Sequence, residues 1–151
     1  MTPAFEGTAL VTLDAKGRFA VPALFRDALL GSEQTFDTGS MPRAVVLTRH
    51  PDGCLVVYPE SVWRIKREKL AALPYSARAF VRLVLGSART IAADRAARLL
   101  VPADLRTLAG IERNAVLIGL GAHLELWPRE AYEAMQAEAF NVPLETADFT
   151  F

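Results

Sequence analysis

A single cysteine, Cys54, in 151 residues excludes an intrachain disulfide and any cysteine-cluster zinc site. No stretch approaches ~18 consecutive apolar residues, so no transmembrane helix and no membrane partner are expected. The opening MTPAFEGTAL carries Glu6 and lacks both a basic start and a long apolar run, which argues against a secretory signal. A cytoplasmic protein is the expectation. There is no P-loop, no Gly-x-Gly-x-x-Gly after a strand, and no Ser-His-Asp set in context, so nothing points to an enzyme. His50 and His123 stand beside hairpins without a partner at metal-ligand spacing and read as solvent-facing or capping residues. Neither a metal nor a cofactor is expected. Cys54 reads as a small core residue in an apolar strand.

Net charge is also missing: 17 basic residues balance 17 acidic ones. The distribution is uneven. Residues 1–93 carry 12 basic and 8 acidic side chains, whereas residues 94–151 carry 5 and 9. Fourteen of the basic residues are arginine, the side chain suited to bidentate contacts with phosphate or guanine. Zero net charge therefore leaves room for a local basic face, although surface ion pairs would use the same arginines. At 52% hydrophobic residues the chain has enough apolar material for a core.

What the sequence does have is a repeat. Residues 14–26, DAKGRFAVPALFR, match residues 94–106, DRAARLLVPADLR, at six of thirteen positions with a constant offset of 80. In the first copy, residues 7–13 are rich in strand formers, and Asp14-Ala15-Lys16-Gly17-Arg18 reads as a three-residue hairpin loop. Gly17 falls where a type I turn with a G1 bulge needs positive φ. That turn places Asp14 and Arg18 opposite each other as a cross-strand pair. Phe19–Val21 is the return strand, and Pro22 opens a helix whose buried stripe reads as Leu24, Phe25, Ala28 and Leu29, closed by Gly31.

Residues 44–48 and 54–58 then flank Pro51-Asp52-Gly53 as a second hairpin, and a helix runs from Pro59 to about Ala71 with Val62, Trp63, Ile65 and Leu70 inward. The second copy repeats this order. It has a strand over 89–93, a turn over 94–98, a return strand over 99–101 and a helix from Pro102 closed by Gly110. A hairpin over 115–127 and a helix from Pro128 to about Phe140 follow. Val57–Trp63 and Leu126–Tyr132 match at an offset of 69, so the first copy carries about eleven extra residues, assigned to a surface loop over 33–43. Between the copies, residues 75–85 are helical by pattern. Ala79, Phe80, Leu83 and Val84 face inward there, and Arg78 and Arg82 outward.

Each copy is too small to bury both faces of its own sheet. Two copies packed as a pseudo-dimer give an α+β fold: repeat one over 1–73, a linking helix over 74–88, repeat two over 89–140, and a tail over 141–151.

With these residues together, the chain resembles the MraZ family of bacterial transcriptional regulators over nearly its whole length. Phe5 and Gly7 match the family's Phe-x-Gly opening, and residues 14–26 its Asp-x-Lys-Gly-Arg and Val-Pro-x-x-Phe-Arg run. Phe80, Gly86, Asp94, Arg98, Pro102, Leu105 and Arg106 match its second motif. The resemblance implies two swapped-hairpin repeats of the AbrB-like group, forming one double-split β-barrel flanked by short helices. It also implies a ring-shaped homo-oligomer, octameric or larger. The implied partner is double-stranded DNA with short direct repeats, upstream of the protein's own division and cell-wall operon, and hence a nucleoid-associated location. The implied DNA-contacting residues are Asp14 with Arg18 and Asp94 with Arg98.

Lys16, at the loop tip, reads as a phosphate contact to add to this set or as an ordinary exposed loop lysine. Where the family has Gly-Arg in its second motif, this chain has Ala97-Arg98. Without glycine, the second turn is expected to depart from the geometry of the first.

Two readings of the Asp–Arg pairs stand side by side. In one, the aspartate orients the arginine to read a guanine in the major groove. In the other, each pair is a salt bridge that locks its turn. The alternative function is an antitoxin-like or scaffold module without specific DNA readout.

Overall fold

A computed structural model describes residues 4–31 and 43–141. The expected loop over 33–43 thus lies outside the described residues except for Arg43, and the expected tail except for Asn141. The first half runs β1 (Thr8–Thr12), β2 (Arg18–Ala20), α1 (Ala23–Leu30), β3 (Ala44–Arg49), β4 (Leu55–Pro59) and α2 (Glu60–Ala71). A 3-10 turn (Tyr75–Ala77) leads into α3 (Arg78–Ser87). The second half runs β5 (Arg89–Ala92), β6 (Arg98–Leu100), α4 (Ala103–Ala109), β7 (Asn114–Gly119), β8 (Leu124–Pro128) and α5 (Arg129–Ala139).

Four of the five described α-helices begin directly after a proline: Pro22, Pro59, Pro102 and Pro128. Each proline has φ between −57° and −55°. Proline has no amide proton to lose there, and its fixed φ directs the chain into the first helical turn.

The strands form a six-stranded antiparallel sheet in the order β1-β7-β8-β4-β3-β5, and β2 pairs separately with β6 in a two-stranded ribbon. The sheet does not close on itself. Strands are exchanged between the repeats: β1 of the first lies beside β7 of the second, and β5 of the second beside β3 of the first. β4 and β8 join the two hairpins at the centre. The turns expected as hairpins therefore keep one backbone bond each between aspartate and arginine. The Asp14 amide donates to the Arg18 carbonyl (2.8 Å) and the Asp94 amide to the Arg98 carbonyl (3.0 Å). Beyond that point β1 and β5 leave for the sheet, while β2 and β6 pair with each other. A strand pair of three residues has too little apolar area to hold alone. It is fixed because Phe19 and Leu99, opposite each other in the ribbon, are both fully buried.

One face of the sheet carries the main core. Val45, Leu47, Leu55, Val57, Leu124 and Leu126 alternate inward along β3, β4 and β8 and meet Phe19, Val21, Phe25, Leu99, Val101 and Leu105 from the ribbon and from α1 and α4. The opposite face carries Val46, packed with Trp63 and Val84. The continuous apolar runs of β3 and β4 follow from this, since helices cover the second face of a sheet whose first face is already buried.

Several inward assignments are corrected. Leu24 is 60% exposed and Ala28 is exposed, because α1 has two turns and its core face is Phe25, Leu29 and Leu30. Leu24 instead packs over Gly7. Ile65 is exposed because α2 turns Val62 and Trp63 toward the sheet. On α3 the buried pair is Val81 and Val84, which leaves Ala79 exposed and Phe80 on the rim of a groove with Leu70, Leu73 and Tyr58.

Candidate nucleic-acid interface

The two Asp-x-x-x-Arg turns have the same construction. Asp14 Oδ1 accepts the Lys16 amide at 3.0 Å and the Arg18 amide at 2.9 Å, and Asp14 Oδ2 accepts Arg18 Nε at 2.9 Å. Asp94 Oδ1 accepts the Ala96 and Arg98 amides, each at 2.9 Å, and Asp94 Oδ2 accepts Arg98 Nε at 2.8 Å. One carboxylate thus caps the turn through its first oxygen and grips the guanidinium through its second. The backbone hydrogen bond from Arg18, ahead of its side chain and the Lys16 amide, holds the Asp14 carboxyl below its usual value. At Asp94 burial pushes upward, and the Arg98 main-chain and side-chain bonds with the Ala96 amide outweigh it, so its pKa also falls.

The expected departure of the second turn does not occur. Ala97 adopts φ +57°, matching the left-handed conformation of Gly17 at φ +90°. The Ala97 carbonyl accepts the Val21 amide (2.9 Å), as the Gly17 carbonyl accepts the Val101 amide (2.9 Å). Ala97 is itself buried, so core contacts and the Asp94 cap hold an alanine where the backbone prefers glycine.

The ribbon register sets where the arginines stand. Arg18 pairs with Leu100, Phe19 with Leu99, and Ala20 with Arg98. Phe19 and Leu99 point inward, so alternation puts Arg18, Ala20, Arg98 and Leu100 on the opposite, outward face. The arginines occupy diagonal positions, roughly 7–8 Å apart at the backbone. Both are partly exposed, and among the described residues each uses only Nε in its aspartate pair. Lys16, at the tip of the first turn, is exposed and forms no ion pair among the described residues. Its counterpart in the second turn is Arg95, one position displaced and also exposed. Arg113, whose carbonyl accepts the Leu13 amide, stands beside the first turn. Sequence reading did not single out Arg95 or Arg113 as site residues: Arg95 lies in the second turn itself, one position off the Lys16 match, whereas only the pairing of β1 with β7 brings Arg113 to the first turn.

Arg26 and Arg106 brace the backbone of their own repeats. Arg26 Nη2 donates to the Val21 carbonyl (3.2 Å) and Arg106 Nε to the Val101 carbonyl (3.0 Å), and Arg106 also crosses to the other repeat to lie over Gly17. Arg89 pairs with Asp104 at 2.6 Å.

His50 and His123 are less isolated than their spacing implied. His123 is partly buried with its ring against Tyr58 at 5.4 Å, and burial lowers its pKa. His50 shares a cluster with Cys54 and Glu125. Strand pairing brings these side chains together from positions 71 residues apart in sequence, a distance that local motifs do not span. No described helix is long and apolar enough to cross a membrane.

Comparison with known proteins agrees with this geometry. The family model for the MraZ protein, described as antitoxin-like, matches residues 4–83 and again 84–150. A transcriptional regulator MraZ of Burkholderia cenocepacia is 42% identical over 149 residues, covering 97% of this chain and 99% of that protein. The transcriptional regulator MraZ of Burkholderia lata has the same identity and coverage. That of Burkholderia mallei is 41% identical over the same extent. Two successive matches across one strand-exchanged fold, with full-length relatives at this identity, place the chain in the MraZ family.

Proposed function

We propose that this protein is a transcriptional regulator that binds double-stranded DNA through the β2–β6 ribbon. The observation that carries the reading is the placement of Arg18 and Arg98 on one outward face, each braced by its own aspartate. A two-stranded ribbon is narrow enough to enter the major groove, where an arginine fork meets O6 and N7 of guanine. Asp14 and Asp94 hold each guanidinium by Nε and leave its terminal nitrogens for a base edge. Lys16 and Arg95, at the loop tips, would meet flanking phosphates.

The proposed targets are short direct repeats upstream of the protein's own division and cell-wall operon, bound at the nucleoid in the cytoplasm. One ribbon offers few base contacts. A ring-shaped homo-oligomer, octameric or larger, would present ribbons at regular intervals, and repeated boxes would then be bound by avidity. Exposed Leu10 and Leu24 support head-to-tail association, since their counterparts 80 residues on are Thr90 and Asp104. The ribbon and the open sheet are the parts that a double-split barrel would join.

The antitoxin-like description of the family model favours the second reading, a protein-binding module. Fluorescence anisotropy separates the two. Upstream operon DNA, scrambled DNA and the Arg18→Ala variant are compared across a salt series. Preference for the upstream DNA, a log–log slope of about 0.9 per neutralised phosphate, and weakening in the variant support the regulator. Equal weak binding to both DNAs, unchanged in the variant, supports the protein-binding module.

A further inference from the structure

At the seam between the repeats, on the face of the sheet opposite the main core, His50, Cys54 and Glu125 converge. One ligand atom from each lies within 4.8 Å of the other two. His50 opens the β3–β4 turn, where its amide donates to the Cys54 carbonyl at 3.0 Å. Glu125 is the second residue of β8, opposite Val56 of β4 and diagonal to Cys54. Cys54 is 1% and Glu125 8% exposed.

Glu125 is the feature that ordinary packing leaves unexplained. It is the buried carboxylate of the described residues, and Trp127 Nε1 donates to its Oε1 at 2.9 Å. No described lysine, arginine or histidine forms an ion pair with it within 4.0 Å, although His123 lies near enough to feel its charge. A buried carboxylate with no counter-charge is costly. Here the missing positive charge would lie beside a thiol and an imidazole.

We infer that His50, Cys54 and Glu125 form a divalent transition-metal site of the zinc class, clamping the first repeat to the second. Sulfur, nitrogen and carboxylate oxygen are the donors zinc takes, whereas calcium and magnesium take oxygen alone. Tetrahedral zinc, with bonds of 2.0–2.3 Å, sets its ligands about 3.3–3.8 Å apart, so side-chain movements of about 1 Å close the set. The fourth position is open to water. On binding, the ion displaces the Cys54 proton to solvent, and its two positive charges are balanced by thiolate and carboxylate.

His50 takes the role by exchanging its ring proton. The Asp52 amide donates to His50 Nδ1 at 3.0 Å, so Nδ1 is an acceptor here, with Asp52 Oδ2 at 3.5 Å, and Nε2 is the nitrogen without a hydrogen bond among the described residues. Metal on Nε2 places the proton on Nδ1 and turns that atom toward the Asp52 carboxylate, the usual outer partner of a metal-bound histidine.

The full chain, stripped with chelator, is titrated with Co2+ and Zn2+, with Cys54→Ser and His50→Gln as variants. His50 is partly exposed in a turn, so its variant folds even if the buried Cys54 variant does not. One cobalt per chain with a thiolate-to-cobalt charge-transfer band, and a thermal midpoint that rises with free zinc, are expected. Cys54→Ser removes the band, and His50→Gln weakens zinc binding tenfold or more. Absence of the thiolate band, or equal zinc stabilisation of the wild type and His50→Gln, overturns the site. None of these readouts involves DNA.

Discussion

Arg106, on the helix of the second repeat, lies across Gly17 in the turn of the first, so close that a Cβ on Gly17 would sit 2.5 Å from Arg106 Nε. Arg106 Nε donates to Val101, and the Val101 amide donates to the Gly17 carbonyl. Turn, ribbon and helix are thereby tied into one unit.

Gly17→Ala is therefore expected to destabilise twice over. The left-handed backbone costs about 1–2 kcal/mol for an L-residue. Displacing the Arg106 guanidinium also weakens a hydrogen bond of about 1 kcal/mol. A combined loss of about 2–3 kcal/mol in urea unfolding is the expected outcome. A change near zero would show that Arg106 moves aside freely.

Ala97→Gly is expected to be close to neutral. Ala97 already holds φ +57°, so glycine removes about 1–2 kcal/mol of strain. The greater freedom of the unfolded glycine chain returns about 0.5–1 kcal/mol of that. Loss of the buried Ala97 methyl costs about 0.8 kcal/mol more. Stability from the denaturant midpoint should therefore stay within about 1 kcal/mol of the parent at unchanged slope, and a larger loss would show that the core contact outweighs the strain.

Arg18→Ala separates readout from folding. The Asp14–Arg18 pair is partly exposed, so its loss should leave the unfolding midpoint nearly unchanged. Loss of one guanine contact should weaken binding to operator DNA by about 1–3 kcal/mol, and more in Arg18→Ala with Arg98→Ala. An equal loss on scrambled DNA would make Arg18 a phosphate contact.

Acid should loosen both turns. Asp14 and Asp94 have folded pKa values below the ordinary 3.8, so their stabilisation is present above that value. It is lost as pH falls through the lowered folded values. Asp14→Asn with Asp94→Asn should flatten the stability profile below about pH 4, measured by denaturant midpoint against pH. An unchanged acid slope would show that other carboxylates dominate.

Much of this architecture was legible in the residues themselves. Proline marked four helix starts, and Asp14 to Arg18 marked a capped turn, because both act through the local backbone. The repeat was legible because its offset was constant over thirteen positions. The Ala97 turn was misjudged on local grounds: backbone preference alone argues against alanine at positive φ, but burial of Ala97 and the Asp94 cap override it. Leu24, Ile65 and Phe80 were misassigned because periodicity marks an apolar stripe without saying which part of it a short helix turns inward.

What the sequence determined by itself is the set of elements and the doubled Asp-x-x-x-Arg turn, since these depend on contacts only a few residues apart. Tertiary structure decided that β1 and β5 leave their own turns for the other repeat. It also put Arg18 and Arg98 on one face, and brought Glu125 to Cys54. Those outcomes depend on strand partners. Each three-residue return strand has too little apolar surface to fix a partner alone, and only the shared core around Phe19 and Leu99 selects one.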